Sequence, residues 1–377
     1  MPPPRTPADA GGSSRPVASA GRRRRRRRRA LVAGVVVLVL AVGTVFGYRA
    51  LAGEPDRSSP RPPTVPTTTP TTDGAVSMAG RAPLTGVPTT TNLEHPAVTI
   101  KVSNTPDAHP QRGLEDADIV FVEPIVGSTT RLAAIFHSRL PDEVGPVRSL
   151  RPTDAALTGP TRGVVGNTMA ARWVLHYFDR VTDVDDLGTL RVPRGVYRLD
   201  PTRRAPNHVF AHPERLLALS DRSAAPAPYF SYAPTIARST AQQDGRPARS
   251  VTVEYGGSST ATWTFDRRLD RWRRAEAWSE HRLENGRQVT ADNVIVLHTR
   301  RDLSFADDDP SMLVPDLVDS SGTLQLFTGD RIVEGRWRKA GVNEPFEFTT
   351  ADGDPLLLVP GNTWVEIALA DMSVRIR

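Results

Sequence analysis

The apolar residues of this chain fall into short runs separated by turn residues, a pattern that predicts many strands and few helices. Early in the folded region, the runs predict strands at 97–103 and 117–126, a third strand or a short helix at 130–137, and helices at 168–178 and 213–219. Later runs predict strands at 250–255, 260–265, 293–298, 323–328, 332–337 and 363–369. The fold class indicated is an α+β domain followed by a mostly β domain or lobe.

The N-terminus has a different pattern. Eight consecutive arginines at 22–29 precede an uncharged run, rich in Val and Leu, at 30–48. Nineteen residues of helix reach about 28 Å, close to the thickness of a bilayer core. We therefore expect a transmembrane signal anchor at 30–48, with the basic tail 1–29 cytoplasmic and the rest extracytoplasmic. Ala50-Leu51-Ala52 has the form of a cleavage site, so processing after Ala52 stays open as an alternative.

Composition then divides the remainder of the chain. Residues 60–72 are Pro or Thr at 11 of 13 positions, so 49–82 is interpreted as an extended linker between bilayer and body. Globular composition begins near residue 83. A stretch rich in Ala, Pro, Ser and Arg at 223–249 is a candidate connection between an N-terminal α+β domain at 83–222 and a C-terminal mostly β domain at 250–377.

Charge is distributed unevenly along the 377 residues. The net charge is +6, but residues 1–60 hold 12 Arg and 3 acidic residues, a balance of +9, which leaves −3 for the remainder. A nearly neutral body is not expected to bind nucleic acid, which requires a basic face. Cysteine is absent. This excludes disulfides, thiolate metal sites, a Cys nucleophile and an anchor on a lipidated Cys.

Several blocks along the body carry a family resemblance. They are Pro83-Leu84-Thr85-Gly86, HPAVTIKVSNTPDAHPQRGLEDADIVFVEP at 95–124, GPVRSLRPTD at 145–154, ADNVIVL at 291–297, EGRW at 334–337 and PGNTWVEI at 360–367. Together they resemble the YerB-like lipoprotein family, domain of unknown function 3048, over about residues 83–370. The resemblance implies an exported, membrane-attached α+β protein with no assigned activity. Family members are often anchored by a lipidated Cys, which the run at 30–48 would replace here.

The polar residues of the first domain include a candidate ligand site. Two guanidiniums three residues apart can present forked donors to a carboxylate, phosphate or uronic acid. We expect charge to be held by Arg148, Arg151 and Arg204, with Asp154 in the same loop and Arg131 in a neighbouring strand. Directional hydrogen bonds would come from Asn207 and His208. In the alternative interpretation, these arginines pair with Glu123, Asp118 and Asp154 and only fix loop conformations.

Signals for catalysis are weaker. Ser149, His208 and Asp154 could supply a nucleophile, a base and an orienting acid, but Ser149 lacks the glycine-flanked elbow of hydrolases. Asp307-Asp308-Asp309 lacks the alternating oxygen spacing of a calcium loop and is interpreted as a solvated loop. We therefore predict no catalytic residue, no metal and no cofactor.

The tryptophans are a second set of candidate binding residues. Five of the six lie beyond residue 250. Trp337 and Trp364 follow strand patterns and are expected in the core. Trp272 and Trp278 stand among charged residues, which makes them the candidates for exposed contact with a glycan or protein.

Three functions remain open. The first is an extracytoplasmic, membrane-anchored binding module for a cell-wall polymer, a glycan or an envelope protein. The second is a hydrolase or transferase acting on envelope polymers. The third is a structural partner in a membrane complex, with the cytoplasmic tail as a second contact.

Overall fold

A computed structural model describes residues 74–257 and 259–377. Within these ranges the four α-helices are short: α1 Thr153–Thr158, α2 Arg172–Val181, α3 Pro213–Leu217 and α4 Thr240–Asp244. None of the helices in this part of the chain is long and apolar enough to cross a bilayer. The predicted tail, anchor and most of the linker lie outside the described residues.

Strands dominate the same ranges, and there are twenty of them. In chain order they are β1 Val98–Ser103, β2 Ile119–Ile125, β3 Thr129–Phe136, β4 Val164–Gly166, β5 Asp185–Asp186, β6 Tyr197–Leu199, β7 Val209–Ala211, β8 Ser231–Tyr232, β9 Arg246–Pro247, β10 Ser250–Gly256, β11 Ser259–Asp266, β12 Arg271–Glu276, β13 Thr290–Ala291, β14 Asn293–Thr299, β15 Ser320–Thr328, β16 Arg331–Lys339, β17 Glu347–Thr349, β18 Leu357–Leu358, β19 Thr363–Leu369 and β20 Ser373–Ile376.

Eleven strands form one mixed central sheet, ordered β17-β16-β15-β14-β19-β2-β3-β1-β4-β5, with β9 beside β16. The strand that joins its halves is β19, near the end of the chain, which runs parallel to both β14 and β2. Strands from before residue 222 and after residue 250 therefore share one hydrogen-bonded sheet. The division at 223–249 stays a prediction about sequence organisation, and the sheet is continuous across it.

Successive side chains along the central strands point to opposite faces of the sheet, and both faces are buried. On one face, Val120 and Val122 belong to a core shared with the second sheet, ordered β13-β12-β11-β10-β20. Trp263 of that second sheet meets Trp364 of β19 edge-on, with ring centroids 5.5 Å apart. On the other face, Phe121 packs in a core that includes residues of α1. Two small sheets, β6-β7 and β8-β18, complete the fold.

Most strands expected from the sequence are confirmed within a few residues of their predicted bounds. The element at 130–137 is a strand, and the helix expected at 168–178 begins only at Arg172. Strand β12 was not predicted, because the side chains that point inward from it are Trp272, Arg274 and Glu276. Two charged residues at buried positions remove the apolar alternation by which a strand is recognised.

Candidate functional site

A buried ionic centre lies between the central sheet and α1. Lys101 of β1 and Glu123 of β2 reach the same face because both strands pair with β3, opposite Ala133 and Arg131 respectively. The Lys101 ammonium contacts Glu123 and donates to Asp154 Oδ1 at 2.6 Å. The side chains of all three are at most 1 % exposed. Asp154 Oδ2 accepts the Arg151 backbone N–H at 2.7 Å, which connects this centre to the loop 148–151.

Burial changes the acidity of this centre. The pKa of Glu123 is raised to about 7 by burial and by the Asp154 carboxylate, against the opposing charge of Lys101. Two carboxylates thus share one ammonium in a low-dielectric site, a situation that favours retention of a proton. Lys101 was missed by the sequence reasoning, although a signal existed: it is one of only two lysines in the chain, and the structure buries both, Lys101 and Lys339.

A change of Glu123 to Gln tests this pKa. Because the folded-state pKa lies above the ordinary value of 4.5, the stabilisation by protonated Glu123 is present at low pH and lost as the pH rises towards 7. The stability of E123Q relative to wild type should therefore increase by about 1–3 kcal/mol over that window. Urea denaturation at several pH values measures the difference, with E347Q at an exposed position as control. A difference that does not vary with pH would contradict the assignment.

Three arginines lie next to the ionic centre. Arg131 of β3 donates from Nη1 to Ser149 O at 2.8 Å, and Arg151 donates from Nη1 to Leu150 O at 2.9 Å. The Arg148 backbone N–H bonds to Lys101 O at 2.8 Å, which fixes the start of this loop on β1. The pKa of Arg131 is lowered to about 9, first by burial and then by the positive charges of Arg151 and Arg148. We call Arg131, Arg148 and Arg151 the arginine cluster.

The cluster carries uncompensated positive charge. Among residues 74–257 and 259–377, none of its three guanidiniums lies within ion-pair distance of a carboxylate. With Lys101 there are four basic groups against two carboxylates in the combined site. Arg148 Nε and Arg151 Nε are buried and have no hydrogen-bond partner in the described structure. Asp107 and Asp309 act on the cluster only at longer range.

The alternative, in which the arginines pair with Glu123, Asp118 and Asp154, describes these contacts poorly. Glu123 and Asp154 bind Lys101 instead, and only the backbone of Arg151 reaches Asp154. Asp118 lies elsewhere and accepts the backbone N–H groups of His137 and Ser138, both at 2.8 Å. The positive charges are therefore held together by backbone carbonyls and packing.

Arg204, Asn207 and His208, the second group of predicted residues, make no hydrogen bond to the arginine cluster in the described structure. Asn207 is buried and His208 half-buried immediately before β7, whose Val209 carbonyl accepts the Val147 N–H at 2.7 Å. Asn207 Oδ1 and His208 Nδ1 are buried without a partner among the described residues. Arg204 is exposed, and no hydrogen bond in the described structure joins it to the arginine cluster. These three residues all precede β7. Of the predicted site residues, the structure brings together only the arginine cluster and Asp154.

The arrangement for nucleophilic catalysis does not form in the part of the chain that the structure describes. Ser149 Oγ lies 3.4 Å from Thr168 Oγ1, and the Asp154 carboxylate is occupied by Lys101 and the Arg151 N–H. Within the described ranges no hydrogen bond connects Ser149, His208 and Asp154.

The interpretation of Trp272 as a surface residue is wrong. Its side chain is completely buried, with its ring centroid 5.3 Å from that of Phe327 and 5.5 Å from that of Phe265. The reason is strand alternation: Arg271 and Arg273 take the outward positions of β12. Trp278 follows the strand and is half-buried, edge-on to His109 in an open groove.

Comparisons with known proteins identify the family. The profile described as "Protein of unknown function (DUF3048) N-terminal domain" matches residues 84–226, and the corresponding C-terminal domain profile matches 251–365. The chain belongs to the DUF3048 family. A Bacillus subtilis (strain 168) member, named "Putative lipoprotein YerB", is 27 % identical over 300 residues, covering 76 % of this chain and 86 % of the relative. The crystal structure of the B. subtilis YerB protein matches with a TM-score of 0.68 at 23 % identity, over 78 % of this chain and 99 % of that one.

A second buried ionic centre connects the two DUF3048 parts on the opposite face of the sheet. Arg274 of β12 contacts Glu276 and donates from Nε to Glu366 of β19 at 3.0 Å. His281 bridges from Arg274, at 2.9 Å, to Gln111 Oε1, at 2.8 Å. Burial and the Arg274 charge hold the pKa of His281 well below its ordinary value, so the imidazole is neutral. All of these residues are buried, and although Arg274 Nη2 has no hydrogen-bond partner among the described residues, the Arg274 charge is paired with both carboxylates. The pairing of its charges identifies the network as a structural centre.

Proposed function

We propose that this DUF3048 protein is a membrane-anchored, extracytoplasmic envelope protein that binds an anionic polymer through its arginine cluster. The observation that carries the proposal is the excess of unpaired guanidinium charge at Arg131, Arg148 and Arg151. Crowded like charges destabilise the free site, and a bound carboxylate, phosphate or uronate would relieve that repulsion. Asn207 and His208 are proposed to add hydrogen bonds at the border of the site, and the exposed Arg204 is proposed to extend its charge.

The proposed location rests on a separate set of observations. The arginine-rich flank of the apolar run at 30–48 supports an anchor with the body outside the membrane. The relative named "Putative lipoprotein YerB" supports membrane attachment in the family, there through a lipid in place of the apolar run. A body held outside a bacterial membrane meets wall and surface polymers, which are rich in anionic groups. Binding is preferred over catalysis because Asp154, the acid that would orient a base for Ser149, is already engaged by Lys101.

Retention on cell walls tests the proposal. The full chain, purified in detergent, is expected to sediment with isolated bacterial walls, and R148A/R151A should lower the bound fraction at least about tenfold, since each charge-assisted contact contributes about 1.5–3 kcal/mol. Blocking wall carboxylates and removing wall phosphates should reduce binding of the wild-type chain to a similar extent.

The matched control removes the same charge elsewhere. Arg267 and Arg268 are exposed and without ion pairs in the described structure, so R267A/R268A should bind walls like wild type. Circular dichroism confirms that each variant is folded. Equal retention of R148A/R151A and R267A/R268A would contradict the assignment of binding to the cluster.

A further inference from the structure

A second polar cleft lies away from the arginine cluster. Its volume is about 430 Å³, within the range of small-molecule sites. Three parts of the chain form its walls: the segment 82–91, the turn at 115–118 with 138–139, and residues of the later half that include Arg271, Arg287 and Asn362. None of its lining residues belongs to the arginine cluster, so the cleft does not depend on the function proposed above.

The floor of the cleft contains a desolvated carboxylate. Asp118 is 3 % exposed, and its Oδ2 accepts the N–H groups of His137 and Ser138. The described hydrogen bonds to its carboxylate all reach Oδ2, and none reaches the other oxygen, Oδ1. Burial raises the pKa of Asp118 to about 6 against those backbone bonds, the Ser138 side chain and the Arg139 charge, so the group is charged at neutral pH but poorly solvated. Such an oxygen favours a cationic or hydrogen-bond-donating ligand group.

Guanidiniums line the same cleft. Arg287 is exposed and forms no ion pair within the described ranges, and Arg139 is 74 % exposed with a loose contact to Asp116 at 3.4 Å. Arg271 is held in place by Asp292 at 3.0 Å and by Asn362. Glu115, Asp116 and Asp292 line the cleft as well, and Asp116 and Asp292 are the partners of Arg139 and Arg271. The cleft therefore offers both signs of charge, with Arg287, Glu115 and Asp118 forming no ion pair within the described ranges.

We propose that this cleft binds a zwitterionic ligand, an amino acid or a short peptide with free ends. The ligand's ammonium group would bind Asp118 Oδ1. Its carboxylate would pair with Arg287, and Arg139 would lie beside that pair. A purely anionic ligand would meet the buried Asp118 charge, and a purely cationic one would meet the two exposed guanidiniums. Ligands that carry both charges satisfy both sets of groups.

Titration with simple peptides tests the proposal. Calorimetry of the full chain with dialanine and tetra-alanine should detect binding of at least one peptide at concentrations up to about 10 mM, the weak end of specific affinities. N-acetylation or C-terminal amidation of that peptide should each weaken binding at least about tenfold, the effect of losing one charged contact.

Variants locate the binding. D118N and R287A should each weaken binding of the free peptide about tenfold or more, whereas D352N and R268A, at exposed positions outside the cleft, should not. R287A keeps the test decisive if D118N does not fold. The proposal is overturned if neither peptide binds, if the blocked peptides bind equally well, or if R287A binds like R268A.

Discussion

Replacing Lys101 by methionine is expected to lower the free energy of unfolding by about 3–5 kcal/mol, because removal of one partner leaves uncompensated buried charge. Methionine preserves most of the side-chain volume, so the loss reports the ammonium group and not a cavity. Glu123 and Asp154 would then have no cation within ion-pair distance among the described residues, in a site where both side chains are at most 1 % exposed. Urea denaturation at pH 7 measures the change.

The second lysine provides the matched control. Lys339 is also buried, but it donates to the backbone carbonyls of Val342, at 2.9 Å, and of Glu344. K339M leaves neutral acceptors unpaired, so its cost should be smaller, about 1–3 kcal/mol. If K101M is no more destabilising than K339M, the two carboxylates do not depend on Lys101, and the description of the ionic centre is wrong.

Replacing Arg274 by methionine is expected to destabilise the protein by a similar amount, about 3–5 kcal/mol. The guanidinium is completely buried between Glu276 and Glu366, and it lies over the rings of Trp263 and Trp364 at 5.9 and 5.3 Å. Its loss would leave two buried carboxylates with neutral hydrogen-bond donors but no counter-charge at the junction of the two sheets. Thermal and urea denaturation of the variant measure the effect.

Arg273, the adjacent residue on β12, is the control for the same substitution at an outward-facing position. Arg273 points outward, with its side chain 42 % exposed and an ion pair to Asp266 at 2.9 Å. R273M should therefore cost less than about 1 kcal/mol, as for exposed ion pairs generally. Equal effects of R274M and R273M would show that the buried network does not stabilise the junction of the sheets.

Strands could be predicted from the sequence wherever their buried face is apolar. Thr363–Leu369, for example, is found at its predicted bounds, because Trp364, Val365 and Ile367 mark it clearly. The pairing of that strand with β2 could not be predicted, since hydrogen bonding across about 240 residues leaves no local signal. Strand β12 was not predicted for a different reason: Arg274 and Glu276 lie at inward positions, and part of what stabilises them comes from distant parts of the chain, Glu366 for Arg274 and Asn104 for Glu276.

The candidate site could likewise be predicted only in part. Arg148, Arg151 and Asp154 lie within seven residues, so their association could be predicted from spacing, and Arg131 joins them through the register of β3. Lys101 was overlooked because a single basic residue in an apolar strand has no partner that the sequence can show. Its two carboxylates come from 22 and 53 residues further along the chain. Trp272 was misplaced because charged neighbours suggested a surface, whereas alternation put those neighbours outside and the ring inside.

Direct titration of the full chain with defined polymers tests the central claim, that the arginine cluster is an anion-binding site. Polyphosphate and polygalacturonate supply phosphate and carboxylate groups, and dextran is the neutral control. We predict that at least one anionic polymer binds, that dextran does not, and that R148A/R151A weakens binding at least about tenfold while R267A/R268A leaves it unchanged. Absence of binding to both anionic polymers, or equal weakening by the two double variants, would contradict the claim.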